Sequence, residues 1–347
     1  MKDGNLKAFL YKIHLIPTIS KIHQWIYEIK NCKKENNSSL IYNLNPITTN
    51  KLSVVNLSGR RINIHRQDFF TVSNYNTLSK VCLDAVYKKL QSEFASIIEE
   101  GCDSVENVKE CNTVWICWFQ GEENAPPLVK ACINSMRINL PDKDIVVLSN
   151  DNISQYIDLP QYIIDKYKKG IIGPAHFSDL IRIELLTKYG GIWADATVLC
   201  TSKNIPDAII KSQLFVFQEM DLVRNDKNSI VASSWFINSQ SNQRILLLTK
   251  KLLYEYWKSA NKLDHYFTFH IFFAIAARRY SEDFAKIPMY NNHSPHTLQF
   301  ELSNDYDKER WSEILKMSCF HKLNRHNDYT NNKKSFYYHI LEEYLPD

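Results

Sequence analysis

The chain has 347 residues, of which 44% are hydrophobic and 23% are charged. That is enough to bury a sizeable core, and it predicts one large domain or two unequal ones. The net charge of +4 is too small to indicate nucleic-acid binding. The eight cysteines lack CxxC spacing and no secretory signal opens the chain, so we expect reduced thiols and a cytoplasmic protein. The most apolar run, Tyr266 to Ala277, is far shorter than the ~20 residues of a membrane-spanning helix.

The first 34 residues are basic, with seven lysines among isoleucines and leucines that recur at helical spacing. This pattern predicts amphipathic helices that either pack on the main domain or lie on an anionic membrane surface. The second alternative would place the protein peripherally at the inner membrane. Residues 51–73 read as a β-hairpin and 74–100 as a long helix, so we predict an accessory region over 1–110.

A second region, 111–347, begins with a continuous apolar run from Thr113 to Gly121, which is typical of a buried parallel strand. A helix follows from Pro126-Pro127, because proline is favoured in a first helical turn. Next come a strand over 144–149 and a helix over 161–169. This alternation predicts an α/β fold with a mostly parallel sheet flanked by helices.

The stretch from Ala175 to Leu199, AHFSDLIRIELLTKYGGIWADATVL, carries the most specific pattern. We predict a buried helix over 177–189, a stop at Gly190-Gly191, and a strand over 192–199 with Asp195 in its middle. Charged residues on buried elements need partners. Two explanations remain open: Asp179 and Arg182 pair with each other while Asp195 caps a turn, or all three face a bound phosphorylated sugar with its cation.

The segment SDLIRIELLTKYGGIWADAT resembles the core motif of glycosyltransferase family 32 and of capsular polysaccharide synthesis proteins. It is similar, more distantly, to the glucosylating clostridial toxins. The resemblance implies a GT-A-like, Rossmann-like fold in which an Asp-X-Asp element (DXD motif) holds a divalent cation, Mn²⁺ or Mg²⁺, against a nucleotide diphosphate. Here Thr197 replaces the second acid, and a neutral hydroxyl is a weaker ligand for a hard cation than a carboxylate.

The resemblance also assigns roles to individual residues. Asp179 would contact the ribose or donor sugar, Arg182 the sugar or the phosphates, and Asp195 the cation, with Asp195 and Arg182 as the catalytic pair. His321, in a late His-Lys-Leu element, would return to the diphosphate and cation, and Lys322 or a neighbour would offset charge. The implied binding residues for the donor and its cation are Trp118, which would stack on the base, Gln120, Gly121, Asp179, Arg182, Trp193, Asp195, Thr197 and His321.

Three further groups stand outside this motif, and the first two have two interpretations each. Glu219 and Asp221 follow a predicted strand over 214–218, and they either stabilise positive charge on the reacting sugar or are solvated loop residues. His270 lies near the acceptor or is an ordinary core histidine. The pair in His293 to His296 lacks further ligands at zinc spacing, so we expect no zinc site there.

We therefore predict a nucleotide-sugar-dependent hexosyltransferase, of the retaining type by resemblance, that uses a UDP-sugar. Its acceptor would be a glycan or lipid-linked oligosaccharide intermediate of a bacterial capsule or lipopolysaccharide. The alternatives are a catalytically silent nucleotide-sugar-binding protein, a membrane-associated scaffold of the same pathway, and an effector that glycosylates host protein.

Overall fold

The computed structural model describes residues 83–102, 108–219 and 228–345. The expected amphipathic segment 1–34 and the expected hairpin 51–73 lie outside the described residues. The chain divides into two compact units, with a boundary between residues 93 and 94. The accessory region over 1–110 stays a prediction.

The smaller unit contains the described residues 83–93 and the segment Leu263–Tyr266. Residues 83–93 are helical. Within this unit, the Lys89 ammonium donates to the Asp264 carboxylate at 2.6 Å and joins the two segments.

The larger unit holds the strands and helices that are used below. Its described strands are β1 (Thr113–Cys117), β2 (Asp144–Leu148), β3 (Gly191–Ala194), β4 (Val198–Cys200), β5 (Leu214–Gln218), β6 (Ala232–Ser239) and β7 (Phe320–Lys322). Its described helices are α1 (Ala95–Glu100), α2 (Pro127–Asn139), α3 (Ile153–Tyr156), α4 (Gln161–Lys168), α5 (Pro174–Lys188), α6 (Asp207–Ile210), α7 (Arg244–Ser259), α8 (Thr268–Arg279), α9 (Ser281–Phe284), α10 (Thr297–Glu301), α11 (Lys308–Met317) and α12 (Phe336–Tyr344), with short 3₁₀ turns at Glu122–Asn124 and Ser294–His296.

Five of these strands form one sheet in the order β2-β1-β3-β6-β5. The β2, β1 and β3 strands are parallel, while β6 runs antiparallel to both β3 and β5. Four of the five strands therefore point in the same direction, and β1 lies inside the sheet as its apolar run predicts. The mostly parallel α/β architecture predicted from the sequence is confirmed.

Helices cover both faces of this sheet. Side chains alternate between the two faces along each strand, so each strand contributes to the packing on both sides. On one face, Val114 and Ile116 of β1 pack with Val129 and Ile133 of α2. On the other face, the Trp193 ring of β3 contacts the guanidinium group of Arg182 on α5. Burial on both faces explains why the strands read as continuous hydrophobic runs.

Helix α5 begins at Pro174 and ends before Gly190, close to the predicted limits. Gly190 and Gly191 have φ values of +79° and +91°, which side chains other than glycine rarely adopt. A Cβ atom on Gly191 would also lie 2.5 Å from the Thr113 carbonyl oxygen. The glycine pair therefore ends the helix and lets β3 approach β1.

The single strand predicted over 192–199 is wrong. β3 ends at Ala194, and a turn closed by the Val198 N–H and the Asp195 carbonyl at 2.9 Å separates it from β4. β4 leaves the main sheet and pairs antiparallel with β7. Asp195 is therefore not in the middle of a strand; it opens the turn at the carboxyl end of β3, where α/β sheets place their ligands.

The other predicted elements of this unit agree with the structure to within a few residues. The β1 strand stops at Cys117, so Trp118, Gln120 and Gly121 lie in the loop that follows it. Across the described part of the chain, no helix combines the length and the apolarity that crossing a bilayer requires.

Candidate active site

The turn after β3 fixes the position of Asp195. Its backbone N–H donates to the Trp235 carbonyl of β6 at 2.8 Å, and its own carbonyl accepts from Val198. Both ends of the residue are thus tied to the sheet framework. The carboxylate is held at the sheet edge with little freedom to move.

Both oxygens of the Asp195 carboxylate accept hydrogen bonds from charged or polar donors. Oδ1 accepts from Arg182 Nη2 at 2.9 Å and from Trp193 Nε1 at 3.0 Å, and Oδ2 accepts from Lys322 Nζ at 2.8 Å. Burial opposes ionisation, but the neighbouring Lys322 and Arg182 charges outweigh it and lower the pKa of Asp195 to about 2. Because 28% of the side chain stays exposed, this ionised group can be reached by a ligand.

Arg182 lies between two carboxylates in the interior, with only 3% of its surface exposed. One terminal nitrogen donates to Asp179 and the other to Asp195. Its guanidinium carbon lies 4.8 Å from the Trp193 ring centre and 5.3 Å from that of Phe269, so it is also held by aromatic faces. The geometry gives Arg182 a positioning role; its direct contact with phosphate stays a prediction.

Asp179 completes the buried end of this cluster. Its second oxygen lies 3.2 Å from His176 Nδ1, one turn earlier on α5. Burial would raise the pKa of the Asp179 carboxyl, but Arg182 and His176 hold it below its ordinary value. Of the two explanations left open by the sequence, the pairing of Asp179 with Arg182 is therefore present. It extends to Asp195, which remains accessible.

Lys322 closes the exposed end of the cluster. Its Nζ lies 2.8 Å from Asp195 Oδ2 and 2.9 Å from Thr197 Oγ1, and 21% of its side chain is exposed. The pairing of β4 with β7 brings it there, because Val198 faces Lys322 in the register. The neutral residue in the Asp-X-Thr sequence thus accepts a hydrogen bond from an ammonium group.

His321, the neighbour of Lys322 on β7, does not join the cluster. Its Nε2 lies 3.2 Å from Thr201 Oγ1, and the residue is fully buried. Consecutive strand residues point to opposite sides, so the side chain of His321 cannot follow that of Lys322. Burial lowers the pKa of His321 to about 4. Among the residues described, no group of three or more histidine, cysteine or acidic side chains is arranged to hold a metal.

The loop after β1 lies at the same sheet edge as Asp195, because β1 and β3 are parallel with Trp115 opposite Trp193. Trp118 is half-buried, and its indole N–H has no hydrogen-bond acceptor among the described residues. The guanidinium carbon of Arg325 lies 5.0 Å from the centre of its ring. The Trp118 ring, on which we expect a base to stack, therefore lies at this edge with the Arg325 guanidinium over its face.

The rest of that loop is shaped by its backbone. Gly121 has a φ of +84°, and the exposed Gln120 accepts a hydrogen bond from Asn124 through its carbonyl oxygen at 2.8 Å. Neither residue has a described contact with Asp195. Their assignment to the donor stays a prediction.

His270 and Glu219 occupy distinct places. His270 is close enough to the cluster for the Asp179 and Arg182 charges to affect it, yet burial dominates and lowers its pKa to about 4. Glu219 accepts a hydrogen bond from Asn292 Nδ2 at 2.5 Å. Asp221 lies outside the described residues.

Sequence reasoning missed two members of the site. His176 could have been found, because it precedes Asp179 by three residues and so shares its face of the helix. Arg325 carries no local signal, since its contact with Trp118 joins segments far apart in the chain.

Comparisons with known proteins agree with the motif. Residues 65–340 match the family described as capsular polysaccharide synthesis protein. The O-glycosyltransferase braB of Annulohypoxylon truncatum is 37% identical over 92 residues, covering 24% of this chain and 22% of that protein. The glycosyltransferase afumC of Aspergillus fumigatus is 31% identical over 99 residues, covering 26% and 25% respectively.

The chain spans about a quarter of the length of these two curated relatives. Among solved structures, the PaToxG glycosyltransferase superposes with a TM-score of 0.33 at 13% identity, covering 60% of this chain and 83% of that one. The family match covers most of the chain and includes every residue of the cluster around Asp195. By that match, the chain belongs to the capsular polysaccharide synthesis protein family.

Proposed function

We propose that this protein is a nucleotide-sugar-dependent glycosyltransferase of GT-A type whose donor binds at the carboxyl edge of β1 and β3. The observation that carries the proposal is the ionised, partly exposed Asp195 held between Arg182 and Lys322 at that edge. A carboxylate beside an accessible ammonium matches a donor that carries both hydroxyl groups and a diphosphate. Membership of the family and the names of the relatives support the same activity.

Each residue has a distinct task in this proposal. Asp195 accepts from a hydroxyl of the ribose or the sugar through the lone pairs that its present donors leave free. Trp118 stacks on the base, which displaces the Arg325 guanidinium from the ring. Arg182 and Asp179 are positioning residues: they hold Asp195 ionised and in place. Charge that develops on the leaving diphosphate is stabilised by preorganised donors at this edge.

The expected divalent cation does not fit the donor set found here. Hard cations need several oxygen ligands. The Asp195 oxygens already accept from three donors, Thr197 is neutral, and the ring of His321 bonds to Thr201 instead. The transfer that we propose therefore uses no metal ion.

The finer parts of the proposal rest on the family. They are a hexosyl donor carried by UDP, retention of the anomeric configuration, and a glycan or lipid-linked oligosaccharide acceptor of capsule type. A cavity of about 430 Å³, lined by residues that include His296, Gln299 and Phe300, is our candidate for the acceptor. The His296 and Trp235 rings are nearly perpendicular with their centres 5.7 Å apart, and the Trp235 carbonyl holds Asp195 in place.

A second candidate function is binding of a nucleotide sugar without transfer. The observation that favours it is Thr197, which stands where the motif has an acid. A binding protein would retain the donor without breaking it, whereas an enzyme would hydrolyse it slowly even without an acceptor.

The test is donor hydrolysis by the full chain across a panel of UDP-, GDP- and dTDP-sugars, with Asp195→Asn beside the wild type. We expect the variant to lose turnover by ~10²-fold or more, because Asp195 binds the donor hydroxyl and positions Arg182 and Lys322, and a misplacement of about 1 Å in a site can cost ~10²-fold. The matched control is Asp207→Asn, since the Asp207 side chain is 72% exposed in a surface ion pair. Equal turnover by Asp195→Asn and wild type would refute the assignment, and binding without hydrolysis by the wild type would favour the second candidate.

A further inference from the structure

We propose that the Lys322 ammonium takes the place of a divalent cation, so that sugar transfer by this protein needs no metal. The inference rests on the proposed function, because it concerns how the same site neutralises the donor diphosphate. It identifies Lys322 as a further catalytic residue.

The position of Lys322 carries the inference. Its Nζ lies 2.8 Å from Asp195 Oδ2 and 2.9 Å from Thr197 Oγ1. These are the side chains at the two acidic positions of an Asp-X-Asp element, the positions that would hold a cation. A positive charge is therefore already placed between them, and it is supplied by the protein itself.

A divalent ion could enter this position only if Lys322 left it. While the lysine stays, the ion would face an ammonium group, two nitrogen donors on Asp195 Oδ1 and a single neutral hydroxyl. Like charges at such distances repel strongly when partly buried. Thr197, at the second acidic position, disfavours a metal ion because a neutral hydroxyl is a poor ligand for a hard cation. The same hydroxyl still accepts a hydrogen bond from the Lys322 ammonium.

The ammonium retains the capacity to bind a phosphate. Lysine has three N–H donors, and two are used by Asp195 and Thr197. Among the described residues, no third acceptor bonds to Lys322, and 21% of its side chain is exposed. Arg325, three residues later, adds a second positive charge over Trp118 at the same edge.

The transfer step balances without a metal. The bond between the sugar C1 and the diphosphate oxygen breaks, and its electron pair stays on that oxygen, which accepts a hydrogen bond from Lys322. The acceptor hydroxyl oxygen forms the new bond to C1, and its proton passes to the departing phosphate oxygen. The products are the glycoside and a nucleoside diphosphate.

The first experiment uses the wild-type chain. UDP is titrated calorimetrically in EDTA and in Mn²⁺, free Mn²⁺ is followed by electron paramagnetic resonance, and hydrolysis of the donor selected by the panel is measured in both buffers. We expect UDP affinity and turnover to change less than about twofold, and no Mn²⁺ to bind in the micromolar range. A tenfold or greater loss of UDP affinity or turnover in EDTA would overturn the inference.

Variants at position 322 distinguish a role of the Lys322 charge in donor binding from a purely structural role of the side chain. Lys322→Met should lose UDP affinity at least tenfold, and Lys322→Arg should stay within a few-fold of wild type. Mn²⁺ should raise the UDP affinity of Lys322→Met and not that of the wild type, because the oxygens of Asp195 and Thr197 are then released; a purely structural lysine would give no such response. Lys211→Met, from an exposed ion pair, is the control.

The outcomes distinguish the two proposals. If nucleoside diphosphates bind only with Mn²⁺, this inference fails and the proposed function stands. If they bind in neither buffer, the proposed function fails as well. Should Lys322→Met not fold, the wild-type measurements and Lys322→Arg still decide the question.

Discussion

Replacing Arg182 by methionine tests whether this buried cation holds the site together. The substitution keeps an unbranched apolar side chain between Trp193 and Phe269 but removes the charge that joins Asp179 to Asp195. The Asp179 side chain is only 13% exposed, so water cannot fully replace the partner that this carboxylate loses. Removing one partner of a buried ion pair typically costs about 3–5 kcal/mol.

Urea unfolding followed by tryptophan fluorescence measures this cost. We expect Arg182→Met to lose about 3 kcal/mol or more, and Asp179→Asn/Arg182→Met to recover part of the loss, because the second change removes the buried charge that the first leaves unpaired. Arg137→Met is the control: Arg137 and its partner Glu122 are 41% and 31% exposed, and surface pairs contribute about 0–1 kcal/mol.

The pH dependence gives a second measure of the same effect. In the wild type the pKa of Asp179 is lowered, so the stability that it contributes is present above the unfolded value and is lost as pH falls through the folded value. Without Arg182, burial should raise the pKa of Asp179. The loss in free energy of unfolding of Arg182→Met relative to the wild type should then become smaller as the pH is lowered from 7 to 5, because the carboxyl takes up a proton. A loss under about 1 kcal/mol that is independent of pH and additive with Asp179→Asn would refute this reasoning.

Three further predictions concern other parts of the unit. Trp118→Leu should weaken UDP binding about tenfold in calorimetry at a temperature where the variant is fully folded, since base–aromatic stacking contributes about 1–3 kcal/mol; unchanged affinity would remove Trp118 from the donor site. The pKa of buried His321 is lowered to about 4, so its stability contribution is present above the unfolded pKa and is lost as pH falls from there toward 4. His321→Asn should therefore reduce the stability lost between pH 7 and pH 5 by about 2 kcal/mol in urea unfolding, whereas the exposed control His293→Asn should not. Gly191→Ala should destabilise the unit by more than 1 kcal/mol, because a Cβ there meets the Thr113 carbonyl at 2.5 Å at positive φ, and an unchanged urea midpoint would contradict this.

Local patterns determined how much of the fold could be predicted. Helix α5 follows from an apolar run that ends at two glycines, and β1 follows from a run that is buried on both faces. The turn after β3 could not be predicted in the same way. Ala196 and Val198 are buried and apolar, so Asp195 and Thr197 read as alternating strand positions. The turn is revealed only by the pairing of β4 with β7.

In the candidate site, too, the residues within one local motif could be predicted and those that depend on long-range strand pairing could not. Asp179, Arg182 and Asp195 stand within one motif, and the structure brings them together as the sequence suggests. Lys322 lies 127 residues beyond Asp195, and only the antiparallel β4–β7 pair brings its ammonium to the turn. A short strand of three residues has too little periodicity to predict its partner or the direction of its side chains. The sequence therefore favoured His321, whereas the structure places its neighbour Lys322 at the carboxylate.

A crystal structure of the wild-type protein with bound UDP, grown in EDTA, would show how this site holds the diphosphate. We expect a diphosphate oxygen within hydrogen-bonding distance of Lys322 Nζ, the uracil ring on Trp118, and Asp195 still bonded to Arg182. UDP bound elsewhere, with the present contacts of Lys322 and the stacking of Arg325 on Trp118 intact, would contradict this expectation.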